Sequence, residues 1–140
     1  MKYNFNNLTK LRVRYGETDQ MGYCYYGNYA MYFEVGRVEA MRSLGMSYRN
    51  LEERGIMLPV SHFEVNYKSP ARYDDELSIK TRITEVRGAR LRFDYVIELQ
   101  DGTCASTATT TLVFVSKETM RPISPPTDFL DLLTPYCIED

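Results

Sequence analysis

The sequence has no tryptophan, a single histidine (His62) and three widely separated cysteines, Cys24, Cys104 and Cys137. One histidine and no Cys-x-x-Cys pair leave no ligand set with metal spacing, so no metal is expected. An odd, scattered set of cysteines fits reduced thiols rather than a disulfide framework. No stretch approaches the ~20 apolar residues that span a bilayer, and the start, Met1-Lys2-Tyr3-Asn4-Phe5-Asn6-Asn7, lacks the apolar run of a secretory signal. A soluble cytoplasmic protein is therefore expected. With a net charge of −2 and basic residues scattered rather than gathered into a stripe, there is no footprint for nucleic acid. At 140 residues the chain is long enough for one domain with a real core and short for two.

What is present centres on Tyr15 to Tyr29. Upstream, Leu11, Val13 and Tyr15 alternate with Arg12 and Arg14, the period of a half-buried strand predicted over Leu8–Tyr15. Downstream, Asn28–Leu44 runs without proline and is predicted to be the longest helix. The first amides of a helix have no partner inside it and carry the positive end of its dipole, so they stabilise a carbonyl oxygen that turns negative in a transition state. Asp19, seven residues before Tyr26, is close enough in sequence to fold back over that entrance, where a carboxylate can attack a carbonyl or activate water. The same residues fit a plainer account equally well: Asp19 caps a turn, and Gly22 and Gly27 permit tight backbone.

At about 100° per residue, Tyr29, Tyr32, Phe33, Gly36, Ala40 and Leu44 share one helix face, while Met31, Val35 and Val38 add apolar surface opposite. Such a helix is expected to be enveloped by a curved sheet, with the remainder covered by another element or a second subunit. Gly36 in mid-helix marks a close approach to the sheet. Gly45 ends the helix, and Ser47 to Gly55 reads as a second, short helix with a serine cap. Period-two alternation then predicts strands around Phe63, Val65 and Tyr67, from Leu77 to Thr84 and from Leu91 to Leu99, and a run rich in β-branched residues that turns apolar on both faces at Leu112 to Val115 predicts a central strand from Thr103 to Ser116. The turns fall at Ser69 to Asp75, at Arg87-Gly88-Ala89-Arg90 and at Asp101-Gly102. Thr127–Leu133 is expected to form a terminal helical turn packed through Phe129, Leu132 and Leu133. One strand, two helices and then a run of strands make an α+β layout.

Over about residues 8–122 the chain resembles the 4-hydroxybenzoyl-CoA thioesterase-like family of hotdog-fold acyl-CoA thioesterases. The likeness rests on Arg14-Tyr15-x-x-Thr18-Asp19-x-x-Gly22, Tyr25-x-x-Asn28-Tyr29, the helical Glu34-x-x-Arg37-x-Glu39, and Tyr67-x-x-Pro70-Ala71 followed by Asp74-Asp75. It implies one hotdog domain over 1–140, with a core of about 8–122, a tail of 123–140, and a five-stranded antiparallel sheet wrapped around the long helix. It further implies pairing into dimers or dimers of dimers. By position, Asp19 resembles the catalytic carboxylate, as nucleophile or general base, and the amides of Tyr26 and Gly27 resemble the donors to the thioester carbonyl. Many relatives carry histidine where this chain has Tyr26, but a backbone N–H does not depend on the side chain.

Tyr25 and Asn28 are expected beside the substrate, and Arg87 and Arg90 are similar to basic residues that meet CoA phosphates in some relatives, although arginines at a hairpin are commonly just solvated. The implied substrates are water and an acyl-CoA or acyl carrier protein thioester, with no cofactor. A non-catalytic acyl-CoA-binding module remains the alternative. A dehydratase is disfavoured because the one histidine, His62, lies on a strand. Cys24 is expected to be a small semi-buried residue rather than a nucleophile. Tyr23, Tyr25 and Tyr29 fit either an acyl pocket or packing at a dimer seam.

Overall fold

The computed structural model describes residues 1–139. In chain order its elements are β1 (Lys2–Arg12), short 3-10 turns at Tyr15–Glu17 and Tyr26–Asn28, α1 (Tyr29–Leu44), α2 (Tyr48–Glu53), β2 (Ile56–Met57), β3 (Val60–Tyr67), β4 (Glu76–Arg87), β5 (Arg90–Glu98), β6 (Cys104–Val113), β7 (Val115–Ser116), α3 (Thr127–Leu133), a 3-10 turn at Thr134–Tyr136 and β8 (Cys137–Glu139). One antiparallel sheet has the order β3-β6-β5-β4-β1-β8, and β2 pairs with β7 in a separate ribbon.

The sheet thus has six strands rather than the expected five. The sixth, β8, lies antiparallel to the start of β1, with Lys2 opposite Glu139 and Tyr3 opposite Cys137. It has a place to dock because β1 begins at Lys2 rather than Leu8: Tyr3 and Phe5 point into the core while Asn4 and Asn6 face solvent. Asparagine is a poor strand former, which hides this alternation. Tyr15 also departs from expectation. It is 79% exposed on a 3-10 turn, edge-on to Tyr73 at 5.8 Å, because the strand has already ended at Arg12. The strand expected over Thr103–Ser116 is broken at Phe114. β6 is central, between β3 and β5, and β7 leaves the sheet to pair with β2, which places Leu112, Phe114 and Val115 all in buried positions. Beneath them Phe129 of α3 meets Phe114 edge-on at 5.4 Å.

α1 crosses the inner face of the sheet as its pattern demands, with Tyr29, Tyr32, Phe33, Gly36, Ala40 and Leu44 all buried, joined by Arg37 and Met41. The Phe33 ring sits 4.9 Å from Tyr95, whose hydroxyl bonds Thr110 Oγ1 at 2.6 Å, so the core is tied to β5 and β6 by both packing and a buried polar pair. Gly45 takes the left-handed C-cap conformation at φ 110°, and the Ser47 hydroxyl accepts the Asn50 N–H at 3.1 Å. Met31 (51% exposed) and Val35 (39%) are covered by nothing among the described residues. No described helix is long and apolar enough to cross a membrane.

Gly36 is where helix and sheet meet most closely. A Cβ there would stand 2.5 Å from Thr81 Oγ1 and 2.8 Å from Ile79 Cγ2. Both neighbours are β-branched side chains held on β4, so neither swings away cheaply. Alanine gains about 1 kcal/mol of helix propensity over glycine, while overpacking costs about 1–3 kcal/mol. Gly36→Ala is therefore expected to lower unfolding stability by up to about 2 kcal/mol and Gly36→Val by more, read as the shift in urea midpoint. An alanine variant more stable than wild type would show that the sheet yields there.

Candidate active site

The loop between β1 and α1 is built from three anchored turns. Val13 donates to Asp75 O at 3.0 Å and accepts from Asp74 N at 2.9 Å, which pins the loop's entry to the segment before β4. A tight hairpin follows: Asp19 N–H donates to Tyr23 O at 2.9 Å, Gly22 N–H donates to Asp19 O at 3.0 Å with φ +82°, and Thr18 bridges Cys24. Its returning limb is fastened by Cys24 N–H to Ala71 O at 2.7 Å and by the bridge from Tyr23 to Arg72, whose guanidinium carbon lies 5.2 Å from the Tyr23 ring centre. Asp19 Oδ1 accepts the Met21 N–H at 2.9 Å, an Asx turn that fixes the carboxylate. Among the described residues its other oxygen has no protein partner.

The chain then enters α1 through the 3-10 turn Tyr26–Asn28. Tyr25 N–H donates to Glu17 O at 2.8 Å and Asn28 N–H donates to Tyr25 O at 2.9 Å. Between them, the N–H groups of Tyr26 and Gly27 have no acceptor among the described residues. A Cβ at Gly27 would stand 2.6 Å from Tyr25 Cε2, so the glycine lets the Tyr25 ring lie close over the turn, 4.9 Å from that of Tyr26.

Asp19 and Tyr26 share one cavity of about 270 Å³, walled by the rings of Tyr23, Tyr26, Tyr29 and Tyr67 and floored by Cys24 and the Lys68-Ser69-Pro70 segment. Tyr67 hydrogen-bonds Tyr26 O at 3.2 Å and meets the Tyr29 ring edge-on at 5.1 Å. Burial raises the Tyr29 hydroxyl to about 12, so this ring stays neutral at physiological pH. Burial likewise raises the Cys24 thiol, which donates to Tyr32 OH at 3.3 Å and stays protonated, a poor nucleophile. The described residues contain no group of three or more His, Cys, Asp and Glu side chains that could hold a metal ion.

The remaining expected site residues fall in different places. Asn28 spends its side-chain Nδ2 on Glu17 O at 2.8 Å. Tyr25 is exposed at the helix entrance. Arg87 and Arg90 flank the hairpin at the far end of β4, a 12-residue strand whose other end adjoins the loop. At ~3.3 Å per residue this puts them roughly 35 Å along β4 from the end that adjoins the loop in the same protomer. His62 is exposed on β3, with Nε2 4.0 Å from Glu64. Sequence reasoning gave no site role to Glu17, nor to Tyr67 beyond its place in the family motif. The Arg14-x-x-Glu17 spacing was the available signal, since an i,i+3 charge pair beside a turn can close on itself.

Comparison with known proteins follows the same lines. The family model described as "Thioesterase-like superfamily" matches residues 13–133. YneP of Bacillus subtilis is 35% identical over 127 residues, 91% of this chain and 92% of YneP. An acyl-CoA thioester hydrolase, YbgC, of Escherichia coli is 34% identical over 112 residues, covering 80% of this chain and 84% of its own length. Among solved structures, a DHNA-CoA thioesterase from Staphylococcus aureus superposes with a TM-score of 0.89 at 34% identity, over 93% of this chain and 89% of that one. With the matched segment spanning the Asp19 loop, α1 and strands β3 to β6 of the sheet, this chain belongs to the thioesterase-like superfamily.

Proposed function

We propose that the protein hydrolyses acyl-CoA thioesters to a free acid and CoA. The observation that supports this most directly is that Asp19 and Tyr26 line one tyrosine-walled cavity beside the turn in which the N–H groups of Tyr26 and Gly27 have no acceptor among the described residues. A thioester carbonyl seated there accepts hydrogen bonds from both amides, which grow stronger as its oxygen becomes negative. Asp19 then either attacks the carbonyl carbon, expelling the thiolate and leaving an acyl-aspartyl anhydride that water opens, or takes a proton from a water that attacks in its place. In both courses the product is one carboxylic acid and one thiol, with no cofactor.

We further propose that the working form is a dimer or a dimer of dimers. Met31 on α1 lines one cleft with Val60 and Phe63 on the outermost strand β3, an apolar surface left open in one protomer, and Val35 is exposed one turn further along α1. An open strand edge beside such a face invites a second copy. Arg87 and Arg90 then meet CoA phosphates only from a neighbouring subunit, because in their own subunit they sit at the opposite end of the sheet. Three unpaired cysteines fit a reducing, cytoplasmic setting.

The test is thiol release from a panel of acyl-CoAs of graded length, aromatic acyl-CoAs and acyl carrier protein thioesters, with mass measured by light scattering. Steady release from some CoA ester at a dimer or tetramer mass is expected. Saturable binding without release would make the protein a sensor instead, and release only from carrier-protein thioesters would change the carrier.

A further inference from the structure

Glu17 is a buried carboxylate, 8% exposed, that the chemistry above does not use. Burying a carboxylate is costly unless it is well paired, and this one is saturated. Its side chain accepts the Arg14 backbone N–H at 2.8 Å, Arg14 Nη2 at 2.9 Å and Nε at 3.3 Å, and the Tyr32 hydroxyl at 2.9 Å. Tyr32 in turn takes the Cys24 thiol. These bonds outweigh the upward push of burial and hold the Glu17 carboxyl below its ordinary range. Its main-chain carbonyl accepts two more donors, Tyr25 N–H and Asn28 Nδ2, each at 2.8 Å.

Those last two partners bracket the amides of interest. Tyr26 and Gly27 lie between Tyr25 and Asn28, so both ends of the turn that presents the two free N–H groups hang from one carbonyl oxygen. Asp19 lies two residues beyond that same carbonyl. The intervening Thr18 is itself fixed by its hydroxyl to Tyr15 O at 2.7 Å and by its bridge to Cys24. The separation between the carboxylate and the carbonyl-polarising amides is therefore set at Glu17, and the side-chain bonds to Arg14 and Tyr32 decide where Glu17 stands relative to α1.

We propose that Glu17 is a positioning residue of this site, holding Asp19 and the Tyr26–Gly27 amides in register through its carbonyl, with Arg14 and Tyr32 holding Glu17. The expected kinetic effect rests on the thioesterase function proposed above; the placement of the loop does not. Glu17→Gln keeps the volume but loses the charge, and sets an amide against donors that need an acceptor. Misplacement of a reacting group by a fraction of an ångström to an ångström costs on the order of tenfold to a hundredfold in rate.

In the full-length protein we expect Glu17→Gln to lower kcat at least about tenfold with KM within about twofold, and Glu17→Asp to restore part of the loss. Deuterium exchange followed by mass spectrometry is expected to speed up over residues 18–28 by about tenfold or more, with β4 to β6 unchanged. Tyr32→Phe, which removes a single hydroxyl, gives a smaller change of the same kind and adds little to Glu17→Gln in the double variant, because both act through one network.

Unchanged exchange over 18–28 in Glu17→Gln would overturn the proposal whatever the activity, and so would an unchanged kcat in a wild type that turns over. If Glu17→Gln fails to fold, exchange in Tyr32→Phe decides in its place. A wild type inert toward every thioester would sink the proposed activity, while exchange still decides the placement.

Discussion

Asp19→Asn is expected to lower kcat by at least about a hundredfold with KM and thermal stability nearly unchanged, the scale for losing a positioned acid-base group or nucleophile. The substitution suits this loop because the interaction Asp19 makes with its own chain survives it. Oδ1 accepts the Met21 N–H at 2.9 Å, and an asparagine oxygen accepts that bond equally well in an Asx turn. What disappears is the anionic oxygen with no protein partner. If Asp19 serves only as a turn cap, the variant should turn over like wild type, and that outcome would remove the residue from the chemistry. A single turnover in water labelled with heavy oxygen then bears on the two courses: label in the Asp19 carboxylate shows that it attacked the carbonyl and that water opened the anhydride at the aspartyl carbon, whereas activated water, like water that opens an anhydride at its acyl carbon, leaves label only in the acid product.

How much of this was legible beforehand depended on the range over which each feature acts. The buried face of α1, its Gly45 cap, the Ser47 cap and the close approach at Gly36 are fixed by residues within a few positions of one another or by a simple period, and all of them are present. The sixth strand was illegible because its pairing joins residues 2–3 to residues 137–139, and because asparagines mask the start of β1. Tyr15 was misplaced since alternation continues on paper after the real strand has ended. Within the site, a linked set of motifs pointed to Asp19 and to the amides of Tyr26 and Gly27, and Asp19 and Tyr26 share one cavity. Glu17 escaped notice because two of its partners, Asn28 and Tyr32, lie 11 and 15 residues away, and only the folded loop brings them together. Arg87 and Arg90 show the converse: a hairpin suggests local basic charge, but which site that charge serves depends on the end of a long strand it occupies.

The amides can be tested as sharply as the carboxylate, because the backbone at Tyr26 can accept proline. Tyr26 opens the 3-10 turn, where φ is about −50° to −70°, a range that includes proline's own value. The residue before it, Tyr25, is extended at φ −61° and ψ 129°, the conformation a following proline demands. No hydrogen bond within the described protein is lost with the N–H, and the carbonyl of residue 26 still accepts from Tyr29 N–H and Tyr67 OH. Tyr26→Pro is therefore expected to fold, losing with the ring only the packing that alanine also loses, while deleting one of the two proposed donors to the developing oxyanion, at about a hundredfold to a thousandfold in kcat. Tyr26→Ala, which keeps the N–H but removes the ring packed beside Tyr67, supplies the control and should lose no more than about tenfold. If proline and alanine variants turned over alike, the carbonyl would have to be polarised elsewhere, and the open end of α1 would be a structural feature of the loop rather than part of the chemistry.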